Sequence, residues 1–325
     1  MKSFSKTIKA LAALTVLAAS TLAQAQDWPN KPVKFIVPAP AGSGPDIVAR
    51  IVADKLSGMW GQSVVVENRV GAGGIPAMVA LKQAPADGYT YGVVQTAVIA
   101  LTPHLFKDPQ FNFDNDFMTI SSMVTSPLII AATPNLGVST LPQLVALAKS
   151  KPGQVKFALP GLNSVPHLAG EQISALTGMK FLNVPFNGTG PAIVATISGD
   201  AGEITIDAPA ALMPNVKAGK LKALAITTPR RVAGMDDIPT VAETIPNYQA
   251  SGWFSLFAAQ RTPDAVVTRV NRDVNTVMQM PDIVARLVPM ALYPAPGTPA
   301  AAASFVKAER DRWTSVVRDL GIKPE

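Results

Sequence analysis

Val33-Lys34-Phe35-Ile36-Val37-Pro38-Ala39-Pro40-Ala41-Gly42-Ser43-Gly44-Pro45-Asp46-Ile47-Val48-Ala49-Arg50 is the stretch that decides the fold. Its first five residues are a β-rich run that Pro38 ends. Its last residues begin an apolar series at helical spacing, Ile47, Val48, Ile51, Val52 and Leu56. Strand, glycine loop and helix therefore follow in order. A second cycle comes next, with a strand over 63–67, the loop Gly71-Ala72-Gly73-Gly74 and a helix over 76–84. After the turn Pro85-Ala86-Asp87-Gly88 a third strand covers 90–94. Strands alternating with helices specify an α/β fold with a parallel sheet.

The alternation breaks twice. A β-rich stretch over 117–133, interrupted by Ser126-Pro127, reads as a crossing between two lobes, and a return crossing is expected over 250–257. Between them a second α/β set runs through helices over 141–149, 166–176, 192–198 and 210–218 and strands over 155–158, 180–184, 203–206 and 221–227. Tail helices over 264–278, 281–288 and 299–320 are expected to pack back on the first lobe. About 300 residues exceed what one compact core usually organises, in line with two lobes.

Lys2, Lys6 and Lys9, an apolar run over 10–19 and the triplet Ala23-Gln24-Ala25 read as a secretory signal peptide over 1–25, cleaved after Ala25. The run falls short of the roughly 20 apolar residues that span a bilayer. The chain has no cysteine, which excludes disulfides and a thioether lipid anchor. The mature protein is expected free in the periplasm. The formal charge of +6 falls to +3 without the three leader lysines, and no basic run is present, so nucleic acid is not expected as a partner.

The loop over 38–46 lies where an open α/β sheet places its ligand crevice, and its glycines let backbone N–H groups approach an anion at a helix N-terminus. The plain alternative is a structural turn, with Asp46 as an N-cap. The spacing matches neither G-x-G-x-x-G nor G-x-x-x-x-G-K-[ST], which argues against nucleotides. The second set repeats the device at Gly161-Leu162-Asn163-Ser164-Val165-Pro166-His167 and at Phe186-Asn187-Gly188-Thr189-Gly190-Pro191. Asn163, Ser164, Asn187 and Thr189 are suited either to a ligand or to capping. Facing helix N-termini would hold a dianion end to end. Asp207, ending a strand, would meet a ligand hydroxyl, amine or water, or cap its own loop. Glu67-Asn68-Arg69 reads as structural polar pairing, and Trp253 and Phe254 as packing.

Catalysis is poorly provided for. His104 and His167 are the two histidines, and neither has metal-ligand spacing around it. Ser164-x-x-His167 leaves a hydrolase as an alternative, but no orienting acid or oxyanion hole can be located, and His167 reads better as a helix-start hydrogen-bonding residue. No cofactor motif is present.

At these residues the chain resembles the periplasmic solute receptors of tripartite tricarboxylate transport systems, the Bug family. The ordered set that carries the resemblance spans nearly the whole mature chain. It includes Trp28-Pro29-Asn30-Lys31-Pro32-Val33, the glycine loop with Asp46-Ile47-Val48-Ala49-Arg50, and Val64-Val65-Val66-Glu67-Asn68-Arg69. Pro85-Ala86-Asp87-Gly88-Tyr89-Thr90, His167-Leu168-Ala169-Gly170-Glu171, Lys217-Ala218-Gly219-Lys220-Leu221, Pro239-Thr240-Val241-Ala242-Glu243 and Trp253-Phe254 extend it.

The resemblance implies a type II-like, two-lobed periplasmic-binding-protein fold, each lobe a mainly parallel sheet flanked by helices. Two crossing strands would join lobe 1 (26–125 and 249–325) to lobe 2 (126–248). It implies a small carboxylate ligand, a dicarboxylate, tricarboxylate, acidic amino acid or aromatic acid, held by Ala41, Gly42, Ser43, Asp46, Ser164, His167, Phe186, Asn187, Gly188, Thr189 and Asp207, partly through water. Thr96 falls where a small hydroxyl residue faces the cleft. Expected partners are the permease subunits of a tripartite transporter or, alternatively, a membrane sensor kinase, with the receptor a monomer. The chain departs from the family pattern at Gly161-Leu162-Asn163-Ser164 and at Phe186-Asn187-Gly188, where Gly-Asn-Gly-Ser and Tyr-Lys-Gly are common. The lost ammonium and the added Leu162 and Phe186 suit a less charged or more apolar acid, and Asn163 tolerates the left-handed turn that its position requires.

Overall fold

The computed structural model describes residues 28–324, so the expected leader and its cleavage site at Ala25 lie outside the described residues. Strand β1 (Val33–Val37) leads through the loop over 38–43 into α1 (Gly44–Trp60). The helix buries Val48, Ile51, Val52, Leu56 and Trp60 along one stripe and stops at Gly61, whose φ of 65° is the left-handed conformation that ends helices. Next come β2 (Val64–Asn68), α2 (Ile75–Lys82) and β3 (Thr90–Gln95), and β2 and β3 flank β1 in parallel. Short helices α3 (Thr102–Leu105) and α4 (Phe113–Asp116) precede β4 (Phe117–Pro127). One residue, Leu128, separates β4 from β5 (Ile129–Ala132), which belongs to a different sheet.

The second sheet continues through α5 (Leu141–Ser150), β6 (Lys156–Leu159), α6 (Val165–Thr177), β7 (Leu182–Pro185), α7 (Thr189–Ser198), β8 (Ile204–Asp207), α8 (Pro209–Lys217) and β9 (Lys222–Ile226). The chain returns through β10 (Ser251–Ala259) and closes with α9 (Asp264–Met278), α10 (Pro281–Leu287), β11 (Tyr293–Pro294) and α11 (Pro299–Asp319). The strand orders are β11-β4-β10-β3-β1-β2 and β7-β6-β8-β5-β9.

Each sheet keeps a parallel trio, β3-β1-β2 and β7-β6-β8, as expected. The crossing strands add antiparallel pairs, β4 and β10 on one side and β5 with β8 and β9 on the other, so both sheets are mixed. An outbound strand and a returning strand that lie side by side run in opposite directions, and this sets the pattern.

The register shows which way the loops face. Gln95, the last residue of β3, pairs with Phe254, close to where β10 enters the first sheet. Asp207, the last residue of β8, pairs with Ile129, the first residue of β5. The C-terminal ends of both parallel trios therefore point at the crossing. The loops after β1 and β3 face those after β6, β7 and β8 from opposite sides of it.

The tail differs from expectation at α11. Its 21 residues span about 31 Å at 1.5 Å per residue. Val306 packs in the first-sheet cluster with Trp253 and Phe257, whereas Trp313, Val316 and Val317 join the cluster of Phe157, Leu168 and Ile204 around the second sheet. Midway, the buried Glu309 accepts from Trp253 Nε1 (3.1 Å) and pairs with Arg312, which donates to the Gln249 carbonyl (2.8 Å). The last helix thus lies along the return crossing and touches both halves.

Candidate functional site

The loop over 38–46 is held from beneath by one carboxylate. Asp46 is only 2% exposed and accepts from the Gly42 N–H (2.8 Å), Arg50 Nε (2.9 Å) and Asn68 Nδ2 (2.8 Å). Burial opposes its ionisation, but the Arg50 guanidinium, the Gly42 N–H and the Asn68 amide outweigh this and hold the carboxyl below its usual range. Asp46 is the third residue of α1 rather than its N-cap, which corrects the sequence expectation. Ser43 takes the cap position, yet its hydroxyl donates back to the Pro40 carbonyl (2.6 Å) and does not cap the helix. Pro45 has no N–H, so among the described residues the Gly44 and Asp46 N–H groups at the start of α1 have no acceptor.

Neighbouring strands tie the loop down. Asn68 Nδ2 also donates to the Ala39 carbonyl (2.9 Å), and Gln95 Nε2 to the Pro38 carbonyl (3.2 Å). The structural reading of Glu67-Asn68-Arg69 agrees with this, since Glu67 also pairs with Lys34 at 2.7 Å. Ala41 and Gly42 are exposed at the tip, and Gly42 has a φ of 80°. Gly44 sits against Phe254 so closely that a Cβ there would lie 3.1 Å from the ring. Thr96 does not match its expectation. It is 2% exposed, accepts from the Trp253 N–H (2.7 Å) and donates to the Trp253 carbonyl (3.2 Å), so it joins β3 to the crossing strand instead of offering a cleft hydroxyl.

Across the crossing, the loop before α6 satisfies itself. Ser164 Oγ donates to the Gly161 carbonyl (2.7 Å) and accepts from the His167 N–H (3.4 Å). Asn163 adopts the expected left-handed turn at φ 56°, and its N–H donates to His167 Nδ1 (3.0 Å). That ring nitrogen must be unprotonated to accept, which leaves the hydrogen of the neutral ring on Nε2, 3.7 Å from Glu171. The His167 contact, against the opposing effect of burial, keeps the Glu171 carboxyl below its usual range. His167 is therefore a helix-start residue, as read from sequence. Its ring does not meet the Ser164 hydroxyl, so the pair lacks the nucleophile–base contact that a hydrolase needs.

The loop before α7 is open. Gly188 stands at φ 105° and ψ 174° without capping α7, and Pro191 again removes a donor. Among the described residues the Thr189 and Gly190 N–H groups have no acceptor. Beside them, burial raises the Asp207 carboxyl above its usual range, partly offset by the neighbouring Thr189 hydroxyl and the Ala208 N–H at 2.7 Å. Phe186 is half-buried and Asn187 exposed, while Leu162 presents 60% of its surface.

Ala41, Gly42, Ser43 and Asp46 thus lie together after β1, and Asn163, Ser164, His167, Phe186, Asn187, Gly188, Thr189 and Asp207 lie in the loops and helix starts after β6, β7 and β8. Sequence reasoning missed Gln95 and gave Phe254 only a packing role. A glutamine closing the apolar run Tyr91-Gly92-Val93-Val94 was the available signal for the first. Among the described residues no three His, Asp or Glu side chains group as metal ligands, and no helix is long and apolar enough to cross a membrane.

Comparison with known proteins gives this geometry its context. The tripartite tricarboxylate transporter family receptor model, TctC, matches residues 48–322. BugT of Bordetella pertussis is 34% identical over 301 residues, covering 92% of each chain. R. palustris Rpa4515 with adipate superposes with a TM-score of 0.79 at 30% identity, over 92% of this chain and 100% of that one. MatC from Rhodopseudomonas palustris with bound malate gives 0.73 at 28% identity, over 89% and 100%. The matching family model describes a receptor rather than an enzyme, and the superposed structures share the fold described above. The chain belongs to the tripartite tricarboxylate transporter receptor family, as a solute-binding receptor.

Proposed function

We propose that this receptor captures a small carboxylate in the periplasm, between lobe 1 (26–125 and 249–325) and lobe 2 (126–248), and hands it to the membrane subunits of a tripartite transporter. The observation that carries this reading is the start of α1. Its Gly44 and Asp46 N–H groups lack acceptors, and the Asp46 side chain that would otherwise fill the space faces inward to hold the loop. A carboxylate fits two convergent N–H groups at the positive end of a 17-residue helix without needing a cation. Adipate and malate in the relatives named above support the same ligand chemistry here.

Ala41, Gly42 and Ser43 would line this end of the cleft, with Asp46 beneath them. Asn163, Ser164, Phe186, Asn187, Gly188, Thr189 and Asp207 would close over the other end, and His167 would hold the Asn163 turn. Thermal denaturation of the purified protein across aliphatic and aromatic carboxylates tests the reading. Ligand at one hundred times its dissociation constant adds about 2.7 kcal/mol of stability. No shift with any member of the panel would rule the function out.

A further inference from the structure

The end of the second sheet remote from the crossing carries a charge pattern of its own. Strands β6, β7 and β8 run parallel and finish at the crossing, and β5 is antiparallel to both β8 and β9, so β6, β7, β8 and β9 all start at the remote end. Lysines gather there. Lys149 and Lys151 lie at the end of α5, Lys156 opens β6, and Lys180 precedes β7. Lys217 ends α8, Lys220 follows it, and Lys222 opens β9. All are exposed except the half-buried Lys156. The turns that carry them are joined: the Gly153 N–H donates to the Lys180 carbonyl (3.0 Å), and the Lys222 ammonium donates to the Ser139 hydroxyl just before α5.

Among the described residues none of these lysines meets a carboxylate. The same turns contain two acids, Asp200 and Glu203, which leaves an excess of five positive charges. Helix α11 also reaches this end, with Leu320 beside Lys180, but its Arg318 and Asp319 pair with each other (3.1 Å). Around the first sheet the pattern is reversed. Lys31, Lys34, Lys55, Lys82 and Lys307 each hold a carboxylate within 3.0 Å. Two exposed leucines stand among the unpaired lysines: Leu182 starts the edge strand β7 in register with Lys156, and Leu176 lies in the last turn of α6.

We propose that this end of the second sheet is a docking surface for an anionic phospholipid membrane, with the headgroup phosphates as counter-charge. The turns carry lysines and no arginine. An ammonium is a point charge drawn to any anionic surface, whereas the fixed fork of arginine grips individual carboxylates of a protein partner. The charges spread over separate turns instead of lining a groove, which matches an extended surface. Neighbouring strands start about 4.8 Å apart, inside the Debye length of about 8 Å at physiological salt, so the fields of adjacent lysines add. Leucines beside them can enter the headgroup boundary while the ammonium groups stay at the phosphates. The loops after β6, β7 and β8 lie at the opposite end of their strands, so docking is independent of what those loops hold.

Co-sedimentation of the chain from residue 26 with vesicles tests this, comparing phosphatidylcholine alone with vesicles containing about one-third phosphatidylglycerol. At low salt the anionic vesicles should bind it about tenfold or more tighter, and the difference should fade as salt is raised. Lys149→Gln, Lys151→Gln, Lys180→Gln and Lys220→Gln together should remove that preference and leave the melting temperature unchanged. Lys31→Gln, Lys55→Gln, Lys82→Gln and Lys307→Gln together reach the same net charge and should keep it. Equal binding of the wild type to both kinds of vesicle overturns the proposal. Equal loss in the two variants also overturns it, because net charge rather than this end of the sheet would then be the cause. Binding of soluble polyglutamate without binding of the vesicles overturns the lipid partner in favour of an acidic protein.

Discussion

The loop after β1 and the loops after β6, β7 and β8 are held in opposite ways. The loop after β1 keeps a carboxylate inside: Asp46 pairs with Arg50 and Asn68 and ties down Gly42, and the helix start above it is left open. The loops after β6, β7 and β8 divide the work. The one before α6 closes itself through Ser164 and His167, and the one before α7 stays open beside Asp207, which has no cationic partner in the surrounding loops. An internally paired anion makes a rigid, preorganised platform that costs little to order on binding. Asp207 is held by neutral donors alone, the Ala208 N–H at 2.7 Å and the Thr189 hydroxyl, so burial raises its carboxyl where the ion pair lowers that of Asp46.

Removing the staple should break this contrast most severely. Asp46→Ala leaves the Gly42 N–H and the Asn68 amide without their acceptor and Arg50 without its partner. We expect a loss of about 2–4 kcal/mol, held down because Arg50 is half exposed, together with loss of ligand binding; urea unfolding and titration read both. Gly188→Ala puts a side chain where φ is 105° and should cost about 1–3 kcal/mol, with a larger fall in affinity than in thermal midpoint. Ser164→Ala removes one cap and should cost about 1 kcal/mol in urea, with helix content otherwise kept.

The smallest effect on folding is the one that sharpens the comparison, because the two aspartates should respond to pH with opposite sign. The lowered folded pKa of Asp46 makes its contribution present above the ordinary value of 3.8 and lost as pH falls through the folded value. Asp207, raised in the fold, contributes fully below 3.8 and loses that contribution as pH rises through its folded value. Asp207→Asn should therefore raise the ligand-free melting temperature at pH 7 and have no such effect below pH 3.8, measured by calorimetry across that range.

Much of this was legible from residue order. Helical spacing from Ile47 to Leu56, the glycine loops and the β-rich stretches beside Ser126-Pro127 and Trp253 report local geometry, and the elements lie where that geometry puts them. What escaped depends on partners far along the chain. Asp46 reads equally well as an N-cap until Asn68 is seen 22 residues away, and Thr96 reads as a cleft hydroxyl until Trp253 arrives 157 residues later. The mixed direction of the sheets follows from which strands become neighbours, which no local pattern encodes. Strand β11, two residues ending in a proline, carries no periodicity to read.

The C-terminal helix has a consequence for how the molecule comes apart. Because α11 contributes Val306 to one core and Trp313, Val316 and Val317 to the other, neither half can melt while this helix keeps its place on both. Heat should therefore unfold the receptor in a single calorimetric transition, and detaching the last turns, for example by Trp313→Ala, should split it into two.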